Sequence, residues 1–395
     1  MIILQSIGFL FALAVIIIVA RKSLPLALLC GTLILGLFTL PVLTVIRLTY
    51  SSIIDPTVII LALAVGFIPM IGGVMKDSGQ MDNLVKNLRI GKRGIMTLSP
   101  ALMGLLPMPG GALFSAPVLE KAGDGVPDDL KVAVNIWFRH LLILVYPLSS
   151  DLIASVKIAK LNLYTVILHF VPALIIALIL GYLFFVRNIK GELNYTGSVS
   201  MKNLFLPLAI ILVAPVIDFS LKLVTWLPYK EIATLIGVCT AFILSLALSP
   251  KKISVSNVFV KMKPWNFSMI IFGLFIFLEI FKASKVANLI ASIPLSPLIL
   301  CILAGFIIGI TTGRVLLPAS VILPIYLVTT SAISPFRFTL IYTSIYFGYV
   351  LSQVHPCVAM TCEYFKSPVR GMIRWLTLPT GIIIALVLLL AILFG

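Results

Sequence analysis

The stretch Gly94-Ile-Met-Thr-Leu-Ser-Pro-Ala-Leu-Met-Gly-Leu-Leu-Pro-Met-Pro-Gly-Gly-Ala-Leu-Phe-Ser115 is mostly apolar, yet Pro107-Met108-Pro109-Gly110-Gly111 interrupts it halfway. Proline removes a backbone donor and glycine loosens the helix, so the block splits into two half-helices. A second apolar block, 294–326, carries Thr311-Thr312-Gly313-Arg314 at its centre and reads the same way. Two half-helices joined at membrane depth enter and leave on one side, as a re-entrant hairpin.

The rest of the composition places these hairpins in a bilayer. Of 395 residues, 61% are hydrophobic and 11% charged, against roughly 45–50% and about 25% in soluble domains. Ile2–Ala20 and Tyr164–Val186 reach the ~20 residues that cross ~30 Å of hydrocarbon. The formal charge of +16 comes without a basic tail, which reads as positive-inside loops and not as a nucleic-acid surface. Cys30, Cys239, Cys301, Cys357 and Cys362 are scattered without a CxxC pair, which indicates neither a disulfide framework nor a zinc site. The first block has no preceding basic residue and no clear cleavage site after it, so it reads as a retained span.

Spans are expected at 2–20, 24–46, 57–75, 132–158, 162–186, 203–225, 229–249, 266–281, 337–364 and 371–394, ten crossings besides the hairpins at 94–119 and 294–326. With both termini outside, 19 of the 29 basic residues fall on the inner side and 8 on the outer, leaving Arg139 and Arg314 within the membrane. Turning the first hairpin into a crossing would spoil that asymmetry. The helix expected over Gln80–Gly94 puts Met81, Leu84, Val85 and Leu88 on one face, as an interfacial helix would. Lys285–Ile290 is a shorter counterpart on the outer side.

Each hairpin follows three spans and precedes two. Five spans and a same-side hairpin make an odd number of crossings, so the second copy is inverted. Asn135–Pro147 aligns without a gap on Ser344–Pro356, with five identities in thirteen positions and three ring-for-ring exchanges. The chain divides into a first repeat, 1–187 (scaffold spans 1–75, hairpin 94–119, spans 132–186), and an inverted second, 188–395 (scaffold spans 203–281, hairpin 294–326, spans 337–394).

Irregular backbone at membrane depth is tolerated where protein or a water-filled cavity satisfies it. Half-helices starting near Gly110-Gly111 and Gly313 aim free N–H groups at the break, where they attract anions. Arg139 and Arg314 add guanidinium groups suited to a carboxylate, phosphate or sulfonate. The substrate-binding candidates are Pro109, Gly110, Gly111, Ser115, Arg139, Thr311, Thr312, Gly313 and Arg314. Proline-centred interruptions also mark the spans after the hairpins, where Ser149, Ser150, Asp151, Ser352, Gln353 and His355 are candidates for the coupling cation. Snorkelling of Arg139 and simple repair of a proline kink are the structural alternatives. Asp218 with Lys222, and Glu279 with Lys282, read as local pairs, and His169 as a packed or hydrogen-bonded histidine. His140 joins His355 as a candidate proton handler.

The runs Leu106–Ser115 and Gly313–Ser320 resemble the prokaryotic integral-membrane family catalogued as domain of unknown function 401, over essentially the whole chain. That family is similar to the ion transporter superfamily, which includes dicarboxylate, citrate, gluconate and arsenite carriers and some sodium/proton antiporters. The resemblance implies an inverted-repeat, elevator-type secondary transporter with two re-entrant hairpins. The dicarboxylate carriers have Ser-Asn-Thr at each hairpin tip. This chain has Pro109-Gly110-Gly111 and Thr311-Thr312-Gly313, so their ligand residues do not transfer.

The expectation is an all-α polytopic membrane protein of the prokaryotic plasma membrane. It is a permease for a small anion driven by Na⁺ or H⁺, with no cofactor beyond a possible Na⁺. The first three spans of each half form a scaffold and a homodimer surface within the lipid bilayer. A sodium/proton antiporter is the alternative, and an intramembrane enzyme a more distant one that lacks an HExxH motif or a buried aspartate pair. There is no Walker-type loop for a primary pump.

Overall fold

In the computed structural model, the described residues are all except 1, 21, 107–110, 194, 196–197, 224–225, 285 and 287–294, with side chains at 2–4 and 6 also outside the description. Prolines and short polar caps set the helix starts. Asp55 caps α4 (Pro56–Asp77), its Oδ1 accepting from the Thr57 N–H at 2.7 Å, and Pro56 supplies a fixed φ at the first helical position. The same device, proline at the first position, starts α14 (Pro264–Ala283), α15 (Pro297–Thr312), α17 (Pro335–Leu351) and α18 (Pro356–Tyr364).

The first half runs α1 (Ile2–Ala20), α2 (Leu24–Thr39), α3 (Val42–Ile54), α4, α5 (Gln80–Asn87), α6 (Lys92–Gly104), α7 (Ala112–Ala122), α8 (Asp128–Leu141), α9 (Ser150–Ile158) and α10 (Leu163–Gly181). The second runs α11 (Met201–Lys222), α12 (Glu231–Ala247), α13 (Val255–Met262), α14, α15, α16 (Leu316–Thr330), α17, α18 and α19 (Val369–Phe394). The described residues contain no β-strand. Among the described residues, five helices are long and apolar enough to cross a membrane: 56–77, 163–186, 201–222, 264–283 and 369–394. Residues 128–145 and 150–158, bent by 45°, make a sixth such segment if taken together.

Three local departures have clear causes. The span expected over 24–46 breaks at Leu40, whose backbone is extended ahead of Pro41, as the residue before a proline prefers. The helix expected over Gln80–Gly94 stops at Asn87, and Gly91 precedes a new helix that already belongs to the hairpin. A short helix that the sequence reading lacks, α13, sits against α4, and Lys261 pairs with Asp77 at 2.9 Å. The outer counterpart expected at Lys285–Ile290 falls almost wholly outside the described residues, as do Pro109 and Gly110.

Two sets of helices emerge from the contacts. In the first, α1 packs on α2 and α11 on α12, while α2 packs on α14, α12 on α4, and α4 on α14. In the second, α6 packs on α8 and α15 on α17, α8 on α19 and α17 on α10, α7 on α18 and α16 on α9. The α15–α17 seam is built on glycine. A Cβ at Gly309 would lie 2.6 Å from the Ile345 carbonyl, and one at Gly348 2.4 Å from that of Phe306, so only hydrogen fits where these backbones meet. The expected local pairs are present: Lys222 with Asp218 at 2.8 Å and Lys282 with Glu279 at 2.7 Å. His169 is exposed and its Nδ1 lies 2.8 Å from the Thr165 carbonyl.

Candidate functional site

A cavity of about 360 Å³ lies between the two helix sets, within the size range of small-molecule sites. One wall is apolar and comes from the first set: Leu24, Val65, Phe267, Ile270 and Ile271. The opposite wall is polar and comes from the second set. Arg139 and His140 reach it from α8, and Gly313 and Arg314 from the second hairpin break. Ser149, Ser150 and Asp151 reach it from the start of α9, and His355 and Cys357 from the start of α18.

Helix breakage accounts for this crowding of polar groups. The helix stops at Leu141, runs through a tight 3₁₀ turn over Leu142–Val145, and resumes at Ser150 beyond Pro147. Its partner stops at Leu351 and resumes at Pro356. Helices α9, α16 and α18 therefore all begin at the cavity, and none has a side-chain cap on its first N–H groups. Three helix N-termini converge, each carrying a partial positive charge.

Gly313 makes the second break possible. It is left-handed at φ +59°, and a Cβ there would lie 2.8 Å from the backbone nitrogen of His355. Ser352 fastens the same junction, its hydroxyl donating to the Ile310 carbonyl at 2.5 Å. Arg314 lies within electrostatic reach of Asp151 across the cavity. No ion pair within 4 Å holds Asp151 among the described residues. Arg139 is only 4% exposed, and its Nη1 has no hydrogen-bond partner among the described residues. It lines the cavity and does not reach out to an interface.

Around Arg139 sits an aromatic and imidazole cluster. His140 Nδ1 lies 2.5 Å from the Ile136 carbonyl, so that nitrogen carries the proton and Nε2 the lone pair. Nε2 is 3.2 Å from the Tyr349 hydroxyl, and the Tyr346 hydroxyl donates to the His140 carbonyl at 2.6 Å. The His355 ring stacks 4.0 Å from that of Tyr349 and 4.8 Å from that of His140. His355 is 1% exposed, and its Nδ1 is unpartnered among the described residues.

Of the expected substrate residues, the cavity gathers Arg139, Gly313 and Arg314. Of the expected cation residues, it gathers Ser149, Ser150, Asp151 and His355. The others lie elsewhere or outside the described residues. Thr311 and Thr312 donate back to the Ile308 carbonyl. Ser115 donates to Asn135 Oδ1 at 2.6 Å, and Asn135 in turn donates to Thr361 Oγ1 at 3.1 Å, tying α7, α8 and α18 together. Gln353 is exposed away from the cavity lining. Gly111 borders a separate small pocket with Lys76 and Phe114. Sequence reasoning missed Tyr346, Tyr349 and Cys357, although Tyr346 and Tyr349 were visible as the ring-for-ring partners of Trp137 and His140 in the internal alignment.

A second cavity of about 680 Å³ lies along the same interface and contains neither arginine nor either hairpin. Its rim carries Lys157, Lys160, Lys222, Lys230 and Lys282. Lys157 pairs with Glu231 across it, and the Tyr164 hydroxyl donates to Asp218 at 2.5 Å, so each contact joins one helix set to the other.

These features define an all-helical membrane protein with a cavity between two sets of helices. The same fold occurs in the YdaH transporter of Alcanivorax borkumensis, whose crystal structure is described as having an unusual topology. The two match with a TM-score of 0.56 at 12% identity, over 88% of this chain and 87% of that one. No curated protein sequence matches. The chain belongs to the family described as protein of unknown function (DUF401), whose model matches residues 3–394.

Proposed function

We propose that the protein is a secondary active transporter that moves a small anion, such as an organic carboxylate, across the prokaryotic plasma membrane. The observation that carries this reading is the convergence of three uncapped helix N-termini with Arg139 and Arg314 on one wall of the central cavity. Donors and dipoles so arranged favour an anion. Coupling to Na⁺ or H⁺ would use the cluster at Ser149, Ser150 and Asp151. The reading takes ten spans, two re-entrant hairpins and an inverted repeat, with both termini outside. The matched helix contacts in the two halves support the repeat. So does the contact of His140 with Tyr349, which occupy equivalent positions of the two copies and therefore meet beside the pseudo-symmetry axis.

An elevator motion fits the division of the cavity walls. The polar groups all belong to the second helix set, and the apolar wall to the first. The second set could carry the anion past the first without exchanging ligands. A homodimer through the first set completes the reading. A sodium/proton antiporter is a second reading, favoured by Asp151, a carboxylate within the cavity.

The test is a thermal-shift screen of purified protein with carboxylates, phosphate, sulfonates and sugar acids, with and without Na⁺, followed by proteoliposome uptake of each hit. Arg314→Ala should remove the stabilisation by any hit. Stabilisation that survives the substitution would take Arg314 out of the site. Stabilisation by Na⁺ alone, with no anion effect, would favour the antiporter.

A further inference from the structure

We propose that His140, His355 and Cys357 form a binding site for a soft transition-metal ion, with its open coordination position facing the central cavity. One ligand atom from each of the three lies within 4.8 Å of the others. Tetrahedral zinc, with Zn–N near 2.0–2.1 Å and Zn–S near 2.3 Å, sets such atoms about 3.4–3.6 Å apart. From 4.8 Å, that spacing requires the ligand atoms to close by about 1 Å.

The ring chemistry is already set for ligation. The Ile136 carbonyl takes the His140 Nδ1 proton, which puts the lone pair on Nε2 and fixes the ring, as carbonyl partners of metal-bound histidines do. The Tyr349 hydroxyl, 3.2 Å from Nε2, gives way when a metal binds there. His355 is buried and its Nδ1 has no partner among the described residues. A buried ring nitrogen without a partner costs stability, and a metal ion bound to it would supply one. His355 and Cys357 are separated by Pro356 alone at the start of α18, so a rigid backbone turn presents both. With sulfur and imidazole ligands and no carboxylate, the tripod selects zinc-like or softer ions over Na⁺ or Ca²⁺.

Charge also balances. Metal binding releases the Cys357 thiol proton to solvent. The thiolate and Asp151 then offset the two guanidinium groups of Arg139 and Arg314, which line the same cavity. The loaded site carries the net charge of the dication, and an anion in the cavity would complete its coordination. The cysteine spacing hides this site because its ligands come from α8 and α18, which the fold alone brings together.

The experiment uses the full chain in detergent with any affinity tag removed, titrated with Co²⁺ as a spectroscopic probe and with Zn²⁺ by calorimetry. No transport substrate is present, so the result is independent of the anion reading. The expected outcome is one ion per chain, a thiolate-to-cobalt charge-transfer band displaced by Zn²⁺, and a raised unfolding temperature with Zn²⁺. Cys357→Ser should abolish the band and His355→Ala should weaken Zn²⁺ at least tenfold, while Cys362→Ser leaves both unchanged. No binding by the unaltered chain, or a band that persists in Cys357→Ser, overturns the proposal. If either variant fails to fold, the titration of the unaltered chain decides it.

Discussion

Replacing Gly313 with alanine tests whether the second break is built around the absence of a side chain. At φ +59° an L-residue costs about 1–2 kcal/mol. The added Cβ would also lie 2.8 Å from the His355 nitrogen and 2.9 Å from the Val354 carbonyl carbon. Those are backbone atoms that cannot rotate aside, and such overpacking costs about 1–3 kcal/mol. Together the substitution should destabilise the protein by about 2–5 kcal/mol. Gly381→Ala is the matched control, since Gly381 lies inside α19 with nothing within 4 Å of its would-be Cβ. Relief of glycine's conformational entropy there should make the change neutral or stabilising by about 0.5–1 kcal/mol. Thermal unfolding of both purified variants in detergent, followed by intrinsic fluorescence, separates the two. If Gly313→Ala unfolds at the wild-type temperature, the break has room for a side chain and the close approach to His355 is not what holds it.

Two further outcomes follow from buried polar contacts. Asp218 is fully buried and receives Tyr164, Lys222 and Thr234, so Asp218→Ala should cost about 3–5 kcal/mol by leaving Lys222 unpaired. The double variant Asp218→Ala/Lys222→Met should recover much of that loss in the same unfolding assay, and a double variant no better than the single would contradict the ion-pair account. Asn135→Ala should cost about 1–3 kcal/mol, since it removes the three hydrogen bonds that join α7, α8 and α18, while Ser115→Ala should cost less because Asn135 keeps its bonds to Ala112 and Thr361. Equal losses would argue against Asn135 as the hub.

Hydropathy and proline placement were enough to mark the long apolar helices and the break at Gly313, because bilayer thickness and the missing proline N–H act through composition alone. The sequence reading went wrong where a single residue decides. Pro41 cuts a continuous apolar run into α2 and α3, and the eight residues of α13 are too few to register as a span. The charged candidates line one cavity, while the hydroxyl candidates divide between it, where Ser149 and Ser150 lie, and their own helices. Arg139, Arg314 and Asp151 all line the cavity, since a charge is seldom left in a membrane without a polar surface to face. The hydroxyls of Thr311 and Thr312 bond carbonyls of their own helix, a local option that residue type alone cannot distinguish from a ligand role. Cys357 and Tyr349 join the site only through the pairing of α8 with the second half, a long-range contact with no trace in local pattern.

The glycine seam between α15 and α17 has a mechanical meaning. Side chains normally cushion two helices and let them slip by rotamer changes, but where Gly309 and Gly348 put backbone directly against backbone there is little slack to absorb a shift. A displacement of Arg314, two residues beyond the end of α15, would therefore be passed with little loss into α17, which packs in turn on α10 and α19. The hairpin behaves less like a hinged flap than like the end of a stiff lever, and an event at its tip is felt along the whole length of the helices that hold it.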